Sequence, residues 1–215
     1  VLDALKKSGK EDDTYVIYIS DHGDTMGEHG VFFKSTLYEG SVGIPMIMKG
    51  PDIEKGTTSS SPVSLIDIYQ TALEIASVPL DDYSRTLPGK SILETLRNPD
   101  LNRPIYSEYQ SFGFYTSAFM LRKGEYKYIH YVGERPQLFN LKDDPDELVD
   151  LGVMDESKII CSEMEAQLRT IVDIEKTDKE AVEAQRKVLE NVGGKEEFLK
   201  SFIPALFSPI PDLSK

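Results

Sequence analysis

The apolar residues of this chain fall into short runs separated by polar stretches. Residues 14–20 (TYVIYIS) form a continuous β-branched and aromatic run, the pattern of a strand buried on both faces of a parallel sheet. A second run, residues 44–48 (IPMIM), predicts another short buried strand, stopped by Gly50-Pro51. Between them, residues 21–43 are Gly-rich and polar and read as a loop with room for one helical turn. Ser64 is placed to cap a helix in which Leu65, Ile68, Tyr69, Ala72 and Ala76 recur at helical spacing. Residues 1–13 read as the end of an amphipathic helix and a turn. Strand, loop, strand and helix in that order predict an α/β layer.

The pattern changes after about residue 100. Residues 104–109, 115–122, 126–131 and 137–141 are strand-like and closely spaced, with Lys123-Gly124 as a hairpin turn between the second and third. That spacing predicts an antiparallel sheet rather than βαβ units. Residues 156–174 and 178–191, rich in Glu, Lys, Gln and Ala, predict helices, and the Pro-rich residues 202–215 an extended arm. The expected organisation is therefore an α/β part (1–100), a small antiparallel β subdomain with a packing helix (101–175), and a helical and extended tail (176–215).

Composition narrows the function more than the fold. At 40% apolar and 28% charged the chain is ordinary for a globular protein, and no apolar run is long enough to span a bilayer. A net charge of −13 argues against a nucleic-acid partner, because phosphate binding needs clustered Lys and Arg. An acidic protein can still bind an anion where a bound cation and a few basic residues reverse the field locally. The single cysteine, Cys161, permits no internal disulfide and excludes a Cys-rich zinc module. Its surroundings, IICSEMEAQL, read as a plain helix. A chain that opens within an element is expected to lack its beginning, so its compartment is not legible.

Candidate chemistry concentrates in residues 20–45. Asp21 and His22 sit where the first predicted strand ends, the edge of an open α/β sheet where ligands bind. A carboxylate followed by an imidazole offers one oxygen and one nitrogen to a divalent cation. Adjacent strand residues point opposite ways, so both face one ion only if the chain bends, a freedom expected of Gly23. Taken alone, Asp-His-Gly reads more readily as a polar turn with a hydrogen-bonded histidine, and the bland reading of Lys34 is a solvated loop lysine. Glu28 and His29 either orient the loop by hydrogen bonds or, for His29, touch substrate. Asp24 reads as an outer or solvent carboxylate and His130 as a half-buried structural residue. Tyr109, Phe112, Phe114 and Tyr115 flank Gly113 as either a substrate rim or packing under a loop.

The order of these features resembles the sulfatase family of the alkaline phosphatase superfamily, in its choline-, iduronate- and arylsulfatase-like branches. There S-D-H-G, G-E-H-G, an aromatic, a lysine and V-P-[LM]-[IM] recur in sequence. The match runs through Ser20, Asp21, His22, Gly23, Gly27, Glu28, His29, Gly30, Lys34 and Pro45. A second block, Leu138-Phe139-Asn140-Leu141 followed by Asp143, Asp144, Pro145, Glu147 and Leu151, is similar to the family's "L-[YF]-[DN]-L…D-P-x-E…N-L" segment, with Asp150 where Asn is commoner.

The resemblance implies the C-terminal portion of a sulfuric ester hydrolase: part of an alkaline-phosphatase-like α/β sandwich followed by a small antiparallel sheet with helices. It implies that Asp21 and His22 bind a divalent metal (Ca2+ first, Mg2+ or Mn2+ otherwise) and that Lys34, with His29, contacts a sulfate ester of a small molecule or sugar. The family's nucleophile, a formylglycine made in a C/S-x-P-x-R motif, is expected in an N-terminal part, because this chain contains no such motif. No catalytic residue is therefore assigned here, and the chain alone is expected to be inactive. Its expected partner is its own N-terminal part or another copy. Two alternatives remain: a phosphonate or phosphate monoester hydrolase of the same superfamily, and a non-catalytic assembly or binding module.

Overall fold

The computed structural model describes residues 1–111 and 116–201. The predicted rim residues Phe112, Phe114 and Tyr115 and the arm 202–215 lie outside the described residues. The chain divides into two compact units, Val1–Ile171 and Val172–Lys215.

The first unit opens with α1 (Leu2–Lys7), followed by β1 (Val16–Ile19), which pairs with β4 (Met46–Lys49). The pairing is antiparallel, with Tyr18 opposite Ile47, which corrects the parallel arrangement expected from the apolar run. Continuous apolarity signals burial and carries no information on strand direction. At the middle of the pair Tyr18 and Ile47 are 63% and 64% exposed, so this cross-strand pair is uncovered among the described residues.

The loop between these strands is more ordered than expected. It holds a hairpin of β2 (Thr25–Met26) and β3 (Phe32–Phe33), then one helical turn, α2 (Glu39–Val42). Gly23 closes this loop on itself, its amide donating to the Ser41 carbonyl at 2.8 Å. A Cβ at Gly23 would lie 2.2 Å from the Gly40 oxygen, so glycine is required by close backbone approach. Its φ is not among the positive values, which corrects the expectation that it acts by conformational freedom.

Three short helices follow: α3 (Asp67–Ile75), α4 (Asp82–Thr86) and α5 (Ile92–Arg97). Ser64 does not cap α3 as expected; its amide instead donates to the Asp67 carboxylate at 2.8 Å. Asp67 is fully buried and also accepts from the Lys90 amide at 2.9 Å and from both terminal nitrogens of Arg103 at 2.6 and 2.7 Å. A buried charge is tolerated only when so completely paired. The Thr71 hydroxyl adds a link to α5 through the Ile92 amide at 2.9 Å.

The rest of the unit is an antiparallel sheet in the order β5 (Ile105–Tyr109), β6 (Ala118–Lys123), β7 (Tyr126–Tyr131) and β8 (Gln137–Asn140). Gly124, at φ 57°, makes the predicted turn. Both faces are covered. On one, Ala118, Met120, Ile129 and Phe139 pack with Leu37 from the loop, and Tyr38 and Val42 lie against them. On the other lies α6 (Lys158–Ile171), with Leu168 and Met164 buried. Here the Glu165 carboxylate gathers the Tyr128 hydroxyl at 3.0 Å, His130 Nδ1 at 3.0 Å and Arg169 Nε at 2.6 Å. Cys161 lies on this helix, its thiol pushed up by burial.

An ion cluster crosses from sheet to loop. Lys127 of β7 is fully buried, with its ammonium 2.6 Å from Glu39 and 2.8 Å from Glu147. It also donates to the Leu37 carbonyl at 3.2 Å, while Glu147 accepts the Glu39 amide at 2.6 Å. The second unit contains α7 (Ile174–Asn191), capped by Asp173, and α8 (Lys195–Ser201), with Gly193 and Gly194 between them at φ 90° and 95°.

Removing one partner of a buried ion cluster leaves its counter-charges stranded, at a cost of roughly 3–5 kcal/mol. Lys127→Met is accordingly expected to lower the urea midpoint of this chain by an amount equivalent to at least about 3 kcal/mol. A midpoint within experimental error of wild type would show the cluster to be dispensable.

A second expectation concerns acid. Burial works to raise the Glu165 carboxyl, but the His130 charge and the bonds from Tyr128, Arg169 and His130 outweigh it and hold it below its ordinary 4.5. A depressed carboxyl stabilises the fold above its unfolded value and loses that contribution as pH falls through the folded value. Urea titrations from pH 6 to pH 3 should therefore show a steeper loss of stability for wild type than for Glu165→Gln. Identical slopes would remove Glu165 from the acid response.

Candidate functional site

β1 ends at Ile19, and the chain then turns tightly. The Ser20 hydroxyl donates to the His22 carbonyl at 2.6 Å, and the His22 amide donates to Asp21 Oδ1 at 3.1 Å. These local bonds turn both side chains to one place despite their adjacency in sequence. His22 Nε2 lies 3.4 Å from Asp21 Oδ2. The other ring nitrogen, Nδ1, lies 2.8 Å from the Gly23 carbonyl, to which it donates, so Nε2 carries the lone pair.

Lys34 follows β3 directly, where the hairpin ends. Its ammonium donates to His22 Nε2 at 2.8 Å. An ammonium has no acceptor site, which assigns the acceptor role to Nε2 independently of the Gly23 contact. The Lys34 backbone is fixed by two bonds to its carbonyl, from the Thr36 amide at 2.8 Å and from the Ser41 hydroxyl. The Asp21 carboxyl is held below the usual carboxylate range by its own backbone amide, with the His22 ring, the His22 amide and Lys34 adding to the effect. Its side chain is 83% exposed.

Asp21, His22 and Lys34 thus converge, and all three wall one cleft of about 470 Å3. Its remaining wall includes Thr36, Ser41 and β5 from Ile105 to Tyr109. The Tyr106 hydroxyl donates to Glu108, and burial together with that carboxylate pushes its phenol up. The Tyr109 hydroxyl donates to Ser35 at 3.1 Å, tying β5 to the loop beside Lys34.

The donors suit a hard divalent cation in kind: one anionic oxygen and one imidazole lone pair, side by side at a cleft wall. They are half a set in number. Among the described residues no third His, Cys, Asp or Glu joins them to complete a metal cluster.

The other predicted residues lie elsewhere. His29, at φ 55°, stacks on Tyr38 with ring centroids 4.1 Å apart and is not part of the cleft wall. Glu28 receives the Met26 amide within the hairpin, and its carboxyl is held low by its own amide and that of Met26. Asp24 is exposed. His130 pairs with Glu165 on the opposite face of the sheet.

Sequence reasoning did not single out Lys127, although a signal existed. In the alternating strand YKYIHY, Lys127 shares a face with Ile129, so its charge faces inward. It joins Glu39 and Glu147, which stand in the two separate motif blocks. Thr36 was also passed over.

With this geometry in place, comparison with known proteins is specific. Residues 27–173 match the family described as N-sulphoglucosamine sulphohydrolase, C-terminal. Arylsulfatase K of Mus musculus is 40% identical over 187 residues, covering 81% of this chain and 32% of the relative. Choline-sulfatase of Rhizobium meliloti (strain 1021) is 32% identical over 152 residues, covering 71% and 30%. The structure of BT4656 in complex with its substrate D-glucosamine-2-N,6-O-disulfate superposes with a TM-score of 0.70 at 27% identity, covering 85% of this chain and 37% of that one. The chain spans about a third of the length of the curated relatives it matches. It shares the alkaline-phosphatase-like α/β fold of those structures in its helices and small antiparallel sheet. By the extent of these matches, the chain belongs to the sulfatase family and corresponds to its C-terminal region.

Proposed function

We propose that this chain is the portion of a sulfuric ester hydrolase that contributes half of a metal site and a sulfate-binding cation. Asp21 and His22 would hold a divalent metal, Ca2+ in the first instance, and Lys34 would bind a sulfate oxygen. The observation that carries this reading is the meeting of three side chains in one cleft, with Lys34 at 2.8 Å and Asp21 at 3.4 Å from the same imidazole nitrogen.

The chemistry follows from where charge sits. Cleaving the ester at sulfur releases an alkoxide or phenoxide, and the non-bridging oxygens are negative throughout. The metal, when bound, supplies positive charge at those oxygens. Lys34 neutralises a sulfate oxygen and fixes its direction, because the bonds from Thr36 and Ser41 hold its backbone. The Gly23 carbonyl orients the His22 ring, and the Ser20 hydroxyl holds the turn that presents Asp21. The covalent step is assigned to residues outside this chain, since no C/S-x-P-x-R motif occurs in it.

In the same reading, residues 1–100 close the α/β domain, residues 101–175 form the subdomain behind the cleft, and residues 176–215 form a tail. The exposed Tyr18 and Ile47 pair would then be covered by the remainder of the enzyme. The substrates and partners named for the relatives share one feature of use here, the sulfate group in arylsulfatase, choline-sulfatase and the disulfated glucosamine.

In the full-length enzyme, Asp21→Asn and His22→Ala should each lower bound calcium, read by isothermal titration, and reduce turnover of an aryl sulfate by at least about a hundredfold. Lys34→Ala should raise KM for the same substrate. Calcium binding unchanged in both ligand variants would defeat the metal assignment.

The 215-residue chain alone should show no turnover of a chromogenic aryl sulfate above the buffer blank. Measurable hydrolysis by the purified chain would mean that the nucleophile has been misplaced.

A further inference from the structure

Every hydroxyl in the loop from Ser20 to Ser41 has a hydrogen-bond partner except one. Ser20 donates to the His22 carbonyl, Thr25 to the Phe33 carbonyl, Tyr38 to Gln137 and Ser41 to the Lys34 carbonyl, while Ser35 receives Tyr109. The Thr36 hydroxyl has none among the described residues, although it is shielded from solvent. The whole residue is only 7% exposed. A buried hydroxyl left unpaired is costly, and such a group in a folded protein calls for a partner, whether a bound water, an ion or a ligand.

Position tells which. Thr36 walls the same cleft as Asp21, His22 and Lys34. Its amide donates to the Lys34 carbonyl at 2.8 Å, so its side chain is anchored two residues from the ammonium. No bond holds the hydroxyl in its present rotamer. Rotation about Cα–Cβ by one staggered step moves the hydroxyl to where the methyl or the hydrogen stands and breaks no hydrogen bond.

We propose that Thr36 is a further substrate-binding residue, its hydroxyl donating to an oxygen of the sulfate ester beside the one held by Lys34. The inference rests on the sulfate role given to Lys34 above. The two groups divide the work: the ammonium supplies charge, and the hydroxyl supplies a directed neutral donor that fixes the rotation of the sulfate. Substrate approach then satisfies a donor that the unliganded loop leaves unpaired.

The test uses the full-length enzyme, with inorganic sulfate as a competitive inhibitor of aryl sulfate turnover and thermal unfolding measured in parallel. Thr36→Val keeps the shape and removes the hydroxyl. It should weaken sulfate inhibition and raise KM by about tenfold, the scale of one hydrogen bond to a charged oxygen, with the melting temperature unchanged. Thr36→Ser should restore inhibition to within about twofold of wild type. A wild-type inhibition constant for Thr36→Val overturns the proposal, whether or not its melting temperature falls. Should Thr36→Val not fold, Thr36→Ala is read against Thr36→Ser by the same constant. Lys34→Ala separates the two claims. Weaker inhibition there with a wild-type inhibition constant in Thr36→Val defeats Thr36 alone, whereas wild-type inhibition in Lys34→Ala defeats the sulfate reading of the cleft.

Discussion

The cleft depends on a lysine that never reaches it. Lys127 projects from the middle of the antiparallel sheet and, itself buried, binds the buried Glu147 and the partly exposed Glu39. Glu39 begins the helical turn that follows Lys34, and Glu147 belongs to the segment after β8. One ammonium therefore fixes the loop of the candidate site to the sheet behind it. Such a cluster adds little net stability over an apolar equivalent, but it defines one arrangement, since any displacement leaves a charge unpaired. Glu147 even adopts φ 56°, a left-handed backbone costly for a non-glycine residue, while meeting both Lys127 and the Glu39 amide.

From that anchor the geometry passes along short backbone links. The turn at Glu39 places Gly40 against Gly23 with no room for a side chain, and Ser41 receives the Gly23 amide while its hydroxyl holds the Lys34 carbonyl. Asp21, His22 and Lys34 are thus fixed relative to one another by contacts of their neighbours. In a chain with a net charge of −13, the Lys34 ammonium is thereby kept at a fixed point of the cleft wall.

Much of this was legible in the sequence, for identifiable reasons. The four sheet strands stand out because their alternation and the Lys123-Gly124 turn are local signals, and the structure matches them to within a few residues. The motif order around Asp21, His22 and Lys34 pointed to the cleft because those residues lie close in the chain. The direction of β1 against β4 was not legible, since pairing is a non-local property that an apolar run does not encode. The role of Gly23 was misread for a similar reason: its neighbour in space, Gly40, is distant in sequence. Ser64 looked like a cap by residue type, yet the carboxylate of Asp67 reaches back to it instead. His29 sits in the same motif as the cleft residues and stacks on Tyr38, a contact between residues nine apart that the motif does not encode.

The Asp67 site has a consequence for how this chain can vary. Its two oxygens accept from two amides and from both ends of the Arg103 guanidinium. An asparagine would present hydrogens where one of those oxygens stands, setting donor against donor. A glutamate is longer by a methylene and would have to fit a site with no exposed surface. Neither Asp67 nor Arg103 has a workable intermediate on the way to a neutral pair, because each single step strands the opposite charge. The pair is therefore costly to lose one residue at a time, and it ties the start of α3 to the segment that leads into β5.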